Sequence, residues 1–537
     1  MSQIEPRVGQ TGVRSPQDSR FDTDAVDPDV VEAAGHPPGR GVGKRTYDPR
    51  LTNEDLAPLR DQRWGTYNIF AFWMSDVHSV GGYVTAGSLF ALGLTSWQVF
   101  VSLVLGIVIV QFFCNLVAKP SQVAGVPYPV ISRVSFGVLG ANIPAIIRGL
   151  IAVAWYGVQT FLAAGALNIV FLKLWPGLAD FADVDRYGFL GLSLLGYVSF
   201  AILWVAQALV FWRGMESIRK FIDFCGPSVY VVMLMLCGYM LLRADFDISL
   251  TLADADLSGW AVFSTMLSAI ALVVSYFSGP MLNFGDFSRY GRSYDAVKKG
   301  NLWGLPVNFV VFSLLVVLTA SATVPAFGEL LIDPVHTVEA IDTYTAILLG
   351  GLTFVIATVG INIVANFISP AFDFSNVSPQ RISWRMGGMI AALGSVLLTP
   401  WNWYNDPEAI FWTLGLLGAL IGPLFGILIA DYYIVRKQHL VIDDMFTLEE
   451  DGAYYYRKGY NPVAITSVTI AGTLAITSVV IPKLTDVATW LPDYSWFLGC
   501  GAGFALYTLL ARRSGPNFGA ALPSVDEPPF EKVSDPA

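Results

Sequence analysis

The sequence predicts an all-α integral membrane protein of about twelve membrane-spanning helices, on the basis of its composition and its long apolar runs. Hydrophobic residues make up 54% of the 537 residues and charged residues only 14%, and the mean hydropathy is +0.55. Such a chain is too apolar for a soluble multidomain protein, so the bilayer must be its solvent. A helix needs about 20 apolar residues to cross the hydrocarbon core.

Twelve apolar runs meet or approach this requirement, the ninth being short and the third long enough to be strongly tilted. They lie near residues 66–92, 97–118, 142–174, 190–212, 222–243, 260–283, 305–327, 344–369, 385–400, 409–430, 463–482 and 494–511.

Lysine and arginine are distributed unequally between alternate loops, and this asymmetry predicts the orientation. Most of the 32 basic residues fall in the two tails and the even-numbered loops. The odd-numbered loops hold only Lys173, Arg186, Arg243 and Lys483. Because basic short loops remain on the cytoplasmic side, we predict a multi-pass protein of the plasma or inner membrane with both termini cytoplasmic.

Two runs carry glycine and proline at corresponding places in the two halves of the chain. Gly81 and Gly82 lie mid-way through the first run, and Gly279 and Pro280 mid-way through the sixth. Gly-Gly holds a helix weakly and proline lacks a backbone donor, so we predict helix breaks at both places. Freed backbone groups are tolerated at bilayer depth only where they line a cavity, and paired breaks of this kind indicate a transporter built from inverted repeats.

Several sequence blocks are distinctive enough to indicate a family. They are NEDLAP at 53–58, GVPYPV at 125–130, SFG at 135–137, GANIP at 140–144, WYGVQ at 155–159, DFSRY at 286–290, AN at 365–366, DYY at 431–433 and YYY at 454–456. Together these blocks resemble the nucleobase-cation-symport family of permeases for cytosine, purines, uracil, allantoin, thiamine and hydantoins. The resemblance covers roughly residues 50 to 510.

The resemblance implies a five-plus-five inverted repeat, with broken first and sixth helices and two peripheral helices, that works by alternating access. The corresponding division is a disordered cytoplasmic tail at 1–60, a transporter core at 61–430, a cytoplasmic loop at 431–462, the peripheral helices at 463–512 and a C-terminal tail at 513–537. The first tail is rich in Pro, Gly, Asp and Arg, as disordered segments often are.

The resemblance also implies that a planar heterocycle lies between two aromatic residues and is read by amides. The matching residues are Trp155 and Phe277 for stacking, and Gln159 and Asn366 for hydrogen bonding. Trp155 and Gln159 are four residues apart and so share one helix face. A flat ring offers π faces and a rim of N–H and C=O groups, and each amide supplies a donor and an acceptor.

The first span departs from the family pattern. Ser79 stands where relatives carry Gln or Asn, so its contact with substrate is lost or replaced by His78. Sodium-coupled relatives place Ser-Thr hydroxyls on the eighth span, where this chain has Gly360 and Ile361. A sodium site would lack these oxygens, so proton coupling is favoured, with Asp76 and His78 as candidate carriers because ionisable groups inside spans are costly.

Other classes of function remain as alternatives. They are sodium-coupled symport of a cytosine- or purine-type base, and transport of amino acids or other solutes by the same fold. A membrane enzyme lacks support, because no metalloprotease helix, phosphate-binding loop or nucleophile elbow is found, and a channel would show a selectivity-filter loop. We predict no metal, no cofactor and no nucleic-acid partner. A uracil- or allantoin/hydantoin-like substrate is favoured, and the oligomeric state is left open.

Overall fold

The computed structural model describes residues 47–248, 257–404 and 407–514. Ten of its helices are long and apolar enough to cross a membrane. The first and ninth predicted runs add two more spans, the first as two short helices and the ninth as Trp384–Leu397. The structure is therefore consistent with the predicted number of about twelve.

The spans are numbered 1 to 12 in chain order. They are Thr66–Val77 with Val80–Ser88 (1), Ser96–Ala124 (2), Asn142–Leu174 (3), Leu194–Trp212 (4), Met215–Arg243 (5), Trp260–Leu282 (6), Tyr294–Leu302 through a π turn at Trp303–Val307 to Asn308–Phe327 (7), Tyr344–Ile363 through a π turn at Val364–Ile368 to Ser369–Val377 (8), Trp384–Leu397 (9), Pro407–Ile429 with a π turn at Ala430–Val435 (10), Pro462–Thr485 (11) and Ser495–Arg513 (12).

Short elements connect the spans. The helices are Tyr128–Phe136, Ala179–Ala182, Val184–Tyr187, Gly285–Ser288 and Pro334–Ile341, with 3-10 turns at Leu89–Leu92, Pro176–Leu178, Pro400–Asn402, Asp443–Phe446 and Leu491–Tyr494. Strands Gly188–Phe189 and Leu192–Ser193 form an antiparallel hairpin in which Gly188 pairs with Ser193.

The packing of the spans repeats with a period of five. Apart from its neighbour span 4, span 5 packs against spans 1, 7 and 8; within the first nine spans, span 10 packs against spans 6, 2 and 3 and also touches the second half of span 1. Replacing each span by the one five positions away converts the first set into the second. This exchange is the signature of two interlocked five-span repeats, and spans 11 and 12 pack on span 10 outside them.

Glycines bring span 12 unusually close to span 10. A Cβ atom on Gly422 would lie 2.4 Å from the carbonyl oxygen of Trp496, and one on Gly426 would lie 2.1 Å from that of Cys500. Only glycine allows this approach. Small residues spaced by four are the usual means of packing helices tightly in a membrane.

The first span is broken, but at His78 and Ser79 and not at the predicted glycines. Ser79 is extended and its hydroxyl accepts a hydrogen bond from the backbone N–H of Gly82 at 3.0 Å. Gly81 and Gly82 therefore lie in the first turn of the second half-helix. The break lies three residues before the predicted position because serine, a strong N-cap residue, determines where the second helix begins.

The sixth span is interrupted after Leu282, and the predicted break at Gly279 and Pro280 is wrong in position. The helix continues through both residues. Pro280 removes only the one hydrogen bond that its own N–H would have made to Tyr276. A short helix, Gly285–Ser288, follows the interruption.

Residues 47–60 are packed on the inner face, as we name the face of the bundle predicted to be cytoplasmic. Leu51 and Leu56 are buried, and the N–H of Leu59 donates to the carbonyl of Gly125 at 3.0 Å. The prediction of disorder is therefore wrong for these residues, because Leu51 and Leu56 pack into the hydrophobic core. The rest of that predicted tail lies outside the described residues.

One buried arginine joins three segments of the inner face. Arg133, in the helix Tyr128–Phe136, donates to the carbonyls of Leu51 and Met445 at 2.7 and 3.0 Å. It also donates to the side-chain oxygen of Asn376 at 2.6 Å. The guanidinium thus ties the N-terminal segment and the end of span 8 to the loop that follows span 10.

That loop, predicted at 431–462, is held by a buried ion pair. Arg436 donates to Asp431 at 3.0 Å, and both side chains are almost fully inaccessible. Asp431 also accepts hydrogen bonds from Tyr507 at 2.7 Å and Ser135 at 3.1 Å. These extra donors offset the cost of burying the pair.

We expect Arg133→Ala to destabilise the protein, because three buried oxygen acceptors would lose their donor. The expected cost is about 3 kcal/mol, measured as a lower unfolding temperature of the purified protein. Arg213→Ala, which removes an exposed arginine, is the control and should leave that temperature unchanged. Equal behaviour of the two variants would contradict the role assigned to Arg133.

Candidate substrate site

Three aromatic rings converge beside the break in span 1. The ring of Trp155 on span 3 meets Tyr276 of span 6 at a centroid distance of 5.3 Å, edge to face. It meets Tyr404, in the connection before span 10, at 5.7 Å in a similar arrangement. The Tyr404 hydroxyl lies 3.1 Å from that of Thr85 on span 1, so this aromatic group includes contacts from both repeats.

Phe277, the predicted second stacking residue, is turned away from Trp155. Its ring contacts Tyr276 at 5.1 Å and Phe309 of span 7 at 5.6 Å. Successive helical residues point about 100° apart, so the neighbouring tyrosine takes the position facing Trp155. Tyr276 is therefore the ring of span 6 that contacts Trp155. Both Tyr276 and Phe277 line a small cavity together with Gly82 and Thr85.

The amide of Gln159 lies against the first turn after the break in span 1. A Cβ atom on Gly81 would come within 2.7 Å of Gln159 Nε2 and 2.9 Å of Oε1. The Tyr276 hydroxyl lies beside the side chains of both Gln159 and Ser79. Gln159 is buried, and its Oε1 has no hydrogen-bond donor among the described residues. The structure thus brings an unsatisfied acceptor next to the aromatic rings.

Asn366 occupies the π turn of span 8, and a chain of amides orients it. Its Nδ2 donates to Asn362 Oδ1 at 3.0 Å. Asn362 in turn donates to Gln207 Oε1 at 2.6 Å and to the Thr160 hydroxyl at 2.9 Å. A π turn within an α-helix often marks a functional position, and here it carries one of the predicted amides.

The two candidate proton carriers lie on different sides of span 1. His78 packs against the rings of Tyr230 and Phe312, at 4.0 and 5.4 Å, and its Nδ1 is 3.1 Å from the Tyr83 hydroxyl. Asp76 instead interacts electrostatically with Arg148. No hydrogen bond joins Asp76 to His78 in the described part of the chain, so the predicted pair is not in contact.

The region between the break and span 8 carries few side-chain oxygens. A Cβ atom on Gly360 would lie 3.2 Å from the hydroxyl of Ser75, which has no partner among the described residues. The Thr358 hydroxyl accepts from the backbone N–H of Val80 at 3.3 Å. Within residues 47–248, 257–404 and 407–514, no group of three or more His, Cys, Asp or Glu residues could hold a metal ion.

The comparison with known proteins decides the family. Residues 58–499 match the family described as permease for cytosine/purines, uracil, thiamine, allantoin. The chain belongs to this family. The predicted membership is confirmed, and because the family and its named relatives are permeases, the chain is a transporter and not an enzyme.

Individual relatives agree with this assignment. The permease is 34% identical over 473 residues to the allantoin permease of Bacillus subtilis, covering 87% of this chain and 94% of that one. It is 31% identical to the purine-uracil permease NCS1 of Arabidopsis thaliana, covering 83% and 74% of the two chains. Its fold is similar to that of Mhp1, a nucleobase-cation-symport-1 family transporter solved in a closed conformation with bromovinylhydantoin bound. That similarity has a TM-score of 0.70, 22% identity, and coverage of 87% of this chain and 97% of that one.

Sequence reasoning missed Tyr276, Tyr404 and Arg148 as members of the permease's central region. Tyr276 directly precedes the predicted Phe277, and only the rotation of span 6 about its axis determines which of the two rings faces Trp155. Tyr404 belongs to the aromatic stretch WNWY at 401–404, which gives no sign that its last ring reaches span 3. The position of Arg148, two turns before Trp155 on span 3, does indicate that it lies on the same face.

We expect Gly81→Ala to weaken ligand binding at this candidate site, because the new methyl group would displace the Gln159 amide. The expected loss of affinity is about tenfold, or roughly 1.4 kcal/mol, measured by ligand-induced thermal stabilisation of the purified permease. Gly165→Ala on span 3 is the control, since a Cβ there meets no atom within 4 Å. Equal affinities of the two variants would show that Gln159 does not need its present position.

Proposed function

We propose that this permease takes up a nucleobase or a related small heterocycle, by secondary active transport with alternating access. The observation that carries the proposal is the contact of the Trp155 ring with the Tyr276 and Tyr404 rings, together with the unsatisfied amide oxygen of Gln159, whose side chain lies beside the Tyr276 hydroxyl. The names of the two relatives quoted above support a substrate of this class. The proposed location is the plasma or inner membrane, with both termini in the cytoplasm.

A uracil-like or allantoin/hydantoin-like ring suits the polar groups of the site best. Gln159 Oε1 requires an N–H donor, and these rings carry N–H groups next to carbonyls. The carbonyls would in turn accept from amide N–H groups of Gln159 or Asn366. The hydroxyl of Ser79 already caps the second half of span 1, so the substrate contact that a longer amide makes at this place in relatives is expected to be lost here.

We infer that protons, rather than sodium ions, drive this uptake. The support is the shortage of oxygen ligands where span 8 faces the break, since Gly360 and Ile361 replace two hydroxyl residues. Sodium coupling has one observation in its favour, which is the pair of hydroxyls of Ser75 and Thr358 close to the break. Asp76 remains a candidate proton carrier, whereas the packing of His78 between aromatic rings gives it less support.

We expect Trp155→Ala to reduce uptake of radiolabelled uracil and allantoin to background, because a stacking surface worth about 1–3 kcal/mol would be lost. Trp155→Phe should retain most of the activity. Trp97→Ala, which removes a tryptophan that is 56% exposed at the start of span 2, is the matched control. Normal uptake by Trp155→Ala at a normal membrane level would overturn the stacking role.

We expect a protonophore to abolish concentrative uptake, because dissipating the proton gradient removes the proposed driving force. Replacing sodium by potassium or choline should have no effect. The measurement is initial uptake into cells or proteoliposomes under each condition. Strict dependence on sodium, with no response to the protonophore, would assign coupling to the oxygens around Ser75 and Thr358 instead.

A further inference from the structure

Four charged side chains form a buried cluster between the aromatic site and the inner face. They are Arg148 on span 3, Asp76 on span 1, Asp286 after span 6 and Asp373 near the end of span 8, and none is more than 2% exposed. Arg148 interacts electrostatically with all three carboxylates. We call this group the inner charge cluster. It sets one guanidinium against three carboxylates in a region without bulk water.

Arg148 is only partly committed to hydrogen bonds. Its Nε donates to Asn283 Oδ1 at 3.1 Å and its Nη2 to the carbonyl of Ala365 at 3.3 Å. Its Nη1 is buried and has no partner among the described residues. One face of the guanidinium is therefore available to a further anionic acceptor.

Asp286 has the hydrogen bonds that an ionised carboxylate needs. Its Oδ1 accepts from the backbone N–H of Tyr128 at 2.8 Å, and its Oδ2 accepts from Asn283 Nδ2 at 3.2 Å. The positive charge of Arg289 also attracts Asp286. The hydrogen bonds of the Arg289 Nη1 and Nη2 atoms, however, go to the carbonyls of Asp55 and Ala57. Asp286 thus has two hydrogen-bond donors that favour its ionised form.

Asp373 has none of these hydrogen bonds. It is 0% exposed, and neither of its carboxylate oxygens has a partner in the part of the chain that the structure describes. The charged groups that act on it are Arg148, which attracts, and Asp286, which repels. The Tyr128 hydroxyl, from the short helix packed against the end of span 8, is a further titratable neighbour.

Two further arginines, Arg133 and Arg289, make contacts close to Asp373 but do not hydrogen-bond to it, and the Nε of each is buried without a partner among the described residues. Arg133 binds Asn376, one turn farther along span 8, and Arg289 lies over the ring of Phe372, 5.5 Å from its centroid. A buried carboxylate without donors, next to a second carboxylate, is costly as an anion. Binding a proton removes the charge and so removes most of that cost.

We propose that Asp373 carries the coupling proton, with Arg148 as its counter-ion after the proton has left. The proposal rests on proton-coupled uptake as proposed above and assigns the proton to Asp373 in place of Asp76, which belongs to the same cluster. In the loaded state Asp373 is a neutral carboxylic acid. On opening to the inner face it releases its proton to water, and the resulting carboxylate pairs with the free Nη1 of Arg148.

The position of Arg148 connects this proton to the substrate site. The guanidinium lies 3.6–3.8 Å from the Cβ position of Gly279, one turn after Tyr276. It also holds the carbonyl of Ala365, the residue before Asn366. A shift of Arg148 toward ionised Asp373 would loosen its bond to Ala365 and so disturb the substrate-facing segment of span 8.

Asp373→Asn tests the proposal, because asparagine has the shape of the protonated acid but cannot release a proton. In proteoliposomes with an acidic exterior, the variant should lose concentrative uptake of uracil or allantoin yet retain exchange of internal for external substrate. Wild-type affinity should rise by up to about tenfold for each pH unit of acidification over the range in which Asp373 loads. The variant's affinity should not depend on pH.

Asp180→Asn is the matched control, since this carboxylate lies in an exposed ion pair with Arg186. It should behave as wild type. Proton-driven accumulation and pH-dependent affinity in Asp373→Asn would overturn the assignment while leaving the proposed uptake intact. Wild-type uptake driven by sodium alone would overturn both proton coupling and the assignment of Asp373. If Asp373→Asn does not fold, Asp373→Glu should shift the midpoint of the pH profile, and an unchanged midpoint would equally reject Asp373.

Discussion

The hydrocarbon core supplies no hydrogen-bond partners, so a break in the first span is possible only where the protein itself supplies them. Every backbone group released at bilayer depth must find a partner within the protein. Ser79 accepts from Gly82 within the second half-helix, and Thr358 of span 8 accepts from Val80. The break therefore depends on contact with the second repeat, and separating span 1 from span 8 would expose the N–H of Val80.

The same constraint gives meaning to the groups that remain unsatisfied near the centre of the bundle. Gln159 Oε1, the Ser75 hydroxyl and both oxygens of Asp373 are buried without partners in the described residues. Each buried polar atom without a partner lowers the stability of the protein, so the state in which no ligand pairs with these atoms is less stable than one in which they are paired. A ring with N–H donors at Gln159 and a proton on Asp373 would each remove one of these costs, so the binding of either would stabilise this arrangement of the buried groups.

The sequence was sufficient for the family, the approximate number of spans and the placement of Trp155 and Gln159 on one helix, because these depend on local spacing and on long apolar runs. It was insufficient wherever one residue decides the outcome. A helix turns about 100° per residue, so choosing between Tyr276 and Phe277 requires the rotation of span 6. Likewise, the capping strength of Ser79 moved the break away from the glycines. Asp373 lies past the predicted end of span 8, and only the fold brings it to Arg148.

Arg148 offers a physical basis for coupling between proton binding and substrate binding, because it interacts with both regions. Its hydrogen bonds reach the segment after span 6 through Asn283 and the π turn of span 8 through Ala365, while its charge reaches Asp373. Any ligand that changes how this one side chain divides its interactions must change the affinity for the other, and by the same factor in both directions. Coupling in this permease would then need no continuous path for the proton through the substrate site, because a single guanidinium responds to both.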